Sequence, residues 1–332
     1  NEQIDEVQIA LTNSGAAAGT YLYPIVTVDA LGRVTAIQSS TTEYDAIVDP
    51  DLPLIGGSGY HTIQAAINAV TGAVVDLATG KGANIWIKSG DYTEDLTIGP
   101  GISLHGGAGS GRDDSPVLII GAHKITPLLD YAQYVVADPP ASSRIPHVSG
   151  WRTIFKGILF SNPYDANDIK SAFSLDETAA DQAESNSIYV EFIDCSRADV
   201  STWLDIGPTP DESTTFFSFI STKGVGGSIS VESSKIYGGF PASAGLADWK
   251  GGTFHLEGTL SLWVKGSTIG VEEESTPARD VRFTHPAIHA EATLDIRDSD
   301  ILGGILLKGR DLGGGTHTVP NVRILRSSIN TA

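Results

Sequence analysis

A motif of one strand and one corner recurs four times in the last third of the chain, and it restricts the possible fold more than any other feature. Val231-x-x-Ser234-x-Ile236, Val264-x-x-Ser267-x-Ile269, Ile296-x-x-Ser299-x-Ile301 and Ile324-x-x-Ser327-x-Ile329 follow one another at intervals of 33, 32 and 28 residues. Two positions before each stands a further aliphatic residue, Ile229, Leu262, Leu294 or Val322, which gives the alternation of a strand with one buried face. Serine then occupies a corner and isoleucine turns back inward. A unit of this size cannot cover its own apolar face and must stack on its neighbours, which is the logic of a solenoid. Phe192-x-x-Cys195 and Phe219-x-x-Thr222 read as degenerate earlier copies.

The body that leads into these repeats starts after a connector rich in Pro and Gly, Asp49 to Pro53 and Gly56 to Gly59. Ile63, Ala66, Ile67 and Val70 form the stripe of a short helix, with Thr62 as its N-cap. Short strands follow at Ile85 and Ile87, Leu96 to Ile98 and Ile102 to Leu104, separated by Gly90-Asp91, Gly99-Pro-Gly101 and Gly106-Gly107. The wording Thr62 to Ile67, Ile85 to Tyr92 and Ile102 to Gly109 resembles the opening of right-handed parallel β-helix proteins of the pectin-lyase-like superfamily. That resemblance implies an all-β chain, a right-handed parallel β-helix whose N-terminal end is closed by the helix. The esterases' Asp-centred motifs and the Arg and Asp clusters of calcium-dependent lyases have no match in the second half. The resemblance therefore carries fold and not activity.

Ahead of the connector lies a hairpin pattern, Gly19 to Ile37. Val26 and Val28 alternate with Thr27, Asp29 to Gly32 supplies a turn, and Val34 and Ile37 resume an apolar return strand. A lone hairpin is marginal in water, so this one is expected to pair with copies of itself or with a neighbour. Its wording, in which Tyr21, Pro24, Val26, Val28, Asp29, Gly32, Arg33, Val34 and Ile37 are the marked positions, resembles a segment that recurs in tail fibres and spikes of tailed bacteriophages. The resemblance implies a virion protein on the tail or capsid surface, with residues 1–48 as an attachment and oligomerisation segment, 49–59 as a linker and 60–332 as the β-helix. It also implies a homotrimer that docks on other virion proteins and presents the solenoid to a host-surface glycan or receptor. A tailspike depolymerase and a capsid-decorating protein stand as alternatives.

Composition narrows the partners. Forty acidic against 21 basic side chains leave a formal charge of −19, a field that repels nucleic acid and anionic membrane surfaces. The acidic opening Asn1 to Glu6 lacks the pattern of a secretory signal, and no apolar run is long enough to span a bilayer, so neither export nor membrane insertion is expected. Cys195 is the single cysteine; no intrachain disulfide can form, and the residue reads as a small buried apolar group.

The acids offer the chemistry that needs weighing. Hydrolysis of a glycan requires two carboxylates across one groove, and Glu257, Glu291, Asp295, Asp298 and Asp300 lie on or beside the repeat strands, with Glu257, Glu291 and Asp295 the foremost candidates. In a chain with 40 acids such adjacency also arises without function, and the expectation leans away from an enzyme. His285, His289 and Glu291 share strand parity, but residues four apart on a strand are about 13 Å from each other, too far for one ion; no metal or cofactor is expected. Gly106 to Arg112 lacks the Lys-Ser/Thr ending of a phosphate loop and reads as a turn. Trp249, Trp203 and Tyr164 are the candidate glycan or partner contacts, with Phe240 beside them, whereas Trp263, inside a repeat strand, is expected in the core. The inserts 131–150, 165–186, 240–252 and 311–318 read as projecting loops.

Overall fold

The computed structural model describes residues 24–28, 34–39, 44–51, 59–107, 117–128, 151–161, 172–175, 187–197, 220–222, 226–238, 253–256, 259–271, 286–307, 309 and 319–330. Three parallel sheets of ten, eight and seven strands run through it. The chain visits them in fixed rotation. Gly226–Glu232 of the ten-stranded sheet is followed by Lys235–Gly238 of the eight-stranded sheet and Phe254–Leu256 of the seven-stranded sheet, and Ser261–Lys265 then returns beside the start. Each rotation is a crossover between parallel strands of one sheet, for which the right-handed sense is nearly universal. The fold is the expected right-handed parallel β-helix, with seven complete turns and two strands of an eighth described.

Inward positions of successive turns fall in register and form continuous apolar ladders. On the ten-stranded sheet one ladder runs Ile85, Leu104, Phe155, Phe192, Val231, Val264 and Ile296, all of them buried. Phe155 and Phe192, from adjacent turns, stack with centroids 5.1 Å apart and planes 10° apart, and Phe160 and Phe173 close on Phe155 edge-on at 5.6 and 5.1 Å. Aromatic pairs in these geometries add to the area they bury.

The recurrent serine explains how each turn is joined to the next at the corner between the ten- and eight-stranded sheets. The residue before it takes a left-handed conformation, at φ 51° for Asp194, 52° for Ser233, 56° for Gly266, 50° for Asp298 and 48° for Arg326. The following backbone N–H then points along the solenoid axis and donates to the serine hydroxyl of the next turn: Cys195 to Ser234 at 3.0 Å, Ser234 to Ser267 at 3.1 Å, Ser267 to Ser299 and Ser299 to Ser327 at 3.2 Å. Each hydroxyl also donates to the carbonyl two residues back, as Ser267 does to Lys265 at 2.9 Å. Ser234, Ser267 and Ser299 are buried, so both roles of the hydroxyl matter. Cys195 holds the same position one turn earlier, with its Sγ donating to the Phe155 carbonyl at 3.3 Å; burial pushes its thiol up to about 12, which leaves a small core residue and not a reactive thiolate.

One reading is corrected here. Phe219-x-x-Thr222 is not a copy of the motif, because Ile220–Thr222 pairs with Phe173–Leu175 and Phe254–Leu256 in the seven-stranded sheet. Strands of that sheet show the same apolar alternation without the serine corner. The N-terminal end also differs in detail, since Ala46–Val48, assigned to the attachment segment, pairs in parallel with Ala83–Ile87 and is buried. Helix Ile63–Ala73 covers that end through Ile63, Ala66, Ile67 and Val70, and the Thr62 hydroxyl accepts the Ala65 N–H at 3.2 Å. Glu94 adds a second cap by accepting the Ile63 and Gln64 N–H groups at 2.9 and 3.0 Å, a carboxylate at the positive end of the helix. The hairpin forms as read, Pro24–Val28 antiparallel to Val34–Ser39, as a two-stranded sheet of its own. At the other end Ile324 and Ile329 are more than a third exposed, because the last described turn has a neighbour on one side only.

A buried histidine interrupts the apolar ladders. His123 begins the inward ladder that continues to Phe173, its ring 5.1 Å from that of Phe173 and 6.0 Å from that of Phe160. Its Nδ1 accepts the Leu96 N–H at 3.3 Å, and its Nε2 has no hydrogen-bond partner among the described residues. Burial pulls its pKa down to about 4.

Two measurements check this architecture. Ser267→Ala removes a hydroxyl that serves two buried partners and is expected to destabilise the fold by about 1–3 kcal/mol in denaturant unfolding; Ser327→Ala, at the exposed end of the ladder, should cost clearly less. For His123, the unfolded chain takes up a proton below about 6.5 and the folded chain only near 4. Stability is then complete above pH 6.5 and falls as pH drops toward 4, by up to about 3 kcal/mol. His123→Leu should remove that increment, seen as a smaller difference in unfolding free energy between pH 7 and pH 4.5 than in the native chain.

Candidate functional site

The outward face of the ten-stranded sheet carries the site. Because side chains alternate across a strand, the same repeats that bury Leu262 and Val264 turn Trp263 to the outside, where it is 43% exposed. The expectation of a core role for Trp263 is thus overturned: its parity is that of Asp295 and Ser230, its register partners, and not that of its apolar neighbours. Ser230 beside it and Ser228 two positions earlier are small, and Tyr189 is the register partner of Ser228 in the preceding turn. Two rings with serines between them leave a groove of about 360 Å³. It crosses five adjacent strands, from Arg152, next to Thr153–Lys156, to Arg297 in Leu294–Arg297. Four strand spacings make that span roughly 19 Å.

Charged residues on the lining come in pairs. Arg152 Nη1 lies 3.2 Å from Glu191 Oε2, Lys265 Nζ 2.6 Å from Glu232 Oε1, and Arg297 grips Asp295 with Nε to Oδ1 and Nη2 to Oδ2, both at 2.7 Å. The last is a bidentate fork, the strongest geometry for such a pair. Its hydrogen bonds hold the Asp295 carboxyl below the usual carboxylate range and raise the Arg297 guanidinium. Three acids and three cations balance in the lining of a chain that carries −19 overall.

Of the other candidate acids, the described ones Glu291, Asp298 and Asp300 do not line this groove. Asp298 sits in the serine corner, within 2.7 Å of Arg326, Asp300 opens a strand of the eight-stranded sheet and accepts from the Ser328 hydroxyl at 2.5 Å, and Glu291 follows the strand Pro286–Ala290 of the seven-stranded sheet. Glu257, Trp203, Trp249, Tyr164, Phe240 and His285 lie outside the described residues, as do Tyr21, Asp29, Gly32 and Arg33. His289 is buried, and among the described residues no three His, Cys, Asp or Glu side chains converge as a metal site. Gly106 and Gly107 prove to be packing glycines: a Cβ on Gly106 would fall 2.2 Å from the Gly157 carbonyl oxygen, and one on Gly107 2.6 Å from the Trp86 ring.

Arg197 was not singled out from sequence. Register places it in the inward ladder between Phe160 and the position of Ile236, it is buried, and desolvation lowers its pKa to about 10. Its charge carries no signal in the motif, because Phe192-x-x-Cys195 stops two residues short of it.

No protein-family model and no curated protein matches the chain. Among solved structures it is similar to a pectin methylesterase in complex with a hexasaccharide, at 14% identity and a TM-score of 0.40, and to the pectin methylesterase PemA from Erwinia chrysanthemi, at 15% and 0.41. Each comparison covers 88% of this chain and 91% of the other. The architecture of this chain rests on its own strand pairing.

If Trp263 belongs to the groove and not to the core, Trp263→Ala should cost clearly less unfolding free energy than a truncation at a fully buried position. Phe155→Ala, at a fully buried ladder position, should cost about 3–5 kcal/mol.

Proposed function

We propose that the chain is an adhesive structural protein, a rigid solenoid that binds a surface glycan in the Trp263 groove and is held on a larger assembly by its N-terminal segment. The observation that carries this reading is an exposed tryptophan in a groove whose carboxylates are each held by a cation. Indole presents the flat apolar surface on which a sugar ring stacks, and a concave site with a few placed polar groups is the usual form of a ligand site. Hydrolysis by the two-carboxylate route would need one protonated acid and one ionised partner facing each other at roughly 5–10 Å. Asp295 is held in its charged form by the hydrogen bonds from Arg297, and Glu191 and Glu232 each have a cation within 3.2 Å.

The assembly half of the reading is supported by the hairpin Pro24–Val28 and Val34–Ser39, a two-stranded sheet on its own of a size that is marginal in isolation. Together with the likeness of Gly19 to Ile37 to phage fibre and spike segments, this favours a homotrimeric projection on a virion that attaches to a host surface. A depolymerase is the second reading, favoured by the position of Asp295 next to Trp263 on the adjacent strand.

Purified chain incubated with cell-surface polysaccharide should bind without releasing new reducing ends, and Trp263→Ala should weaken binding at least tenfold. Release of reducing ends that Asp295→Asn abolishes would establish the depolymerase instead. Light scattering should give a particle of three chains; a stable single chain would remove the trimeric fibre.

A further inference from the structure

We infer that the ligand of the Trp263 groove is an uncharged glycan chain lying along the solenoid axis across the strands, with one sugar ring stacked on the indole; this rests on the adhesive reading above. The direction follows from the register. Glu191, Ser230, Trp263 and Asp295 occupy one outward row on four adjacent strands, and the lining reaches roughly 19 Å across five strands against roughly 13 Å along one strand from Ser228 to Glu232, so the longer dimension of the groove lies along the axis. A linear polymer of a few linked rings matches its length.

The charge class follows from the ion pairs. An anionic sugar gains from a site in which cations outnumber acids, and here every cation of the lining already has a carboxylate within 3.2 Å. Asp295 and Arg297 are locked in the bidentate fork, with the aspartate side chain only 7% exposed. Its release to a ligand would leave a nearly buried carboxylate without its counter-ion. The chain as a whole carries −19 and disfavours approach of a polyanion at every separation inside the screening length. Sugar hydroxyls, by contrast, can donate to carboxylate lone pairs that the ion pairs leave open and accept from the serine hydroxyls, with no net charge to compensate.

The test is a printed glycan array that carries neutral, uronate, sialylated and sulfated oligosaccharides, read with the whole chain at 50 and 300 mM salt, followed by calorimetric titration of the best binder. Binding confined to neutral glycans, little changed by salt, weakened at least tenfold by Trp263→Ala and by Ser230→Trp, and partly kept by Trp263→Phe would support the inference. Circular dichroism of each variant identifies any that fail to fold, and Trp263→Phe keeps the test informative in that case. Preference for acidic glycans with affinity that falls steeply with salt would overturn the inference while leaving the adhesive reading intact. Binding to intact cells but to no glycan would overturn the inference and leave a protein ligand for the adhesive; binding to neither would overturn both.

Discussion

Everything in this molecule depends on the corner where one backbone N–H is handed to the serine hydroxyl of the next turn. A parallel strand makes its hydrogen bonds sideways to its neighbours, but a chain that turns between two sheets has to break that pattern for a residue or two, and buried backbone groups left over there are costly. The left-handed residue redirects the backbone, and the serine supplies both an acceptor and a donor within the space of one small side chain. Since each turn completes the bonding of the one before it, stability is shared along the stack, as in other solenoids. Apolar ladders add the larger driving force, and a slip of one residue would turn their side chains outward, which the corners prevent by setting the register of each turn.

That rigid register is also what makes a site possible. Once the ten-stranded sheet is locked, its outward residues form rows along the axis, and one bulky residue beside a small one on the adjacent strand produces a depression. Trp263 beside Ser230 does this, and no loop has to fold around the ligand. The ion pairs on the same face tie side chains between adjacent turns, Glu232 to Lys265, and within one strand, Asp295 to Arg297. At exposed positions such pairs add little to stability; their larger effect is to fix the charge that a ligand meets.

Buried polar groups mark where the core departs from the aliphatic pattern. His123 and Arg197 take inward positions that isoleucine or phenylalanine holds in adjacent turns. Both lie in the half of the solenoid that precedes the regular repeats, where Phe155, Phe160, Phe173 and Phe192 fill the interior. There the ring and the planar guanidinium have aromatic neighbours: His123 lies 5.1 Å from the Phe173 ring, and Arg197 is the register partner of Phe160.

The solenoid was legible because its period is written in residue types that have no alternative use: aliphatic alternation, a serine at fixed offset and an aliphatic return can be read without knowing what stacks on what. The helix and its Thr62 cap were legible for the same reason. Phe219 to Thr222 misled, since all three sheets alternate alike and only strand pairing distinguishes them. Trp263 misled in the other direction: hydrophobicity argued for burial, and the parity that puts it outside is set by Leu262 and Val264, whose claim on the core the repeat already states. Sequence alone therefore determined the fold and its period, which depend on local patterns repeated many times. Tertiary structure alone decided the groove, because Tyr189, Ser230, Trp263 and Asp295 are more than a hundred residues apart end to end and become neighbours only when parallel strands stack in register.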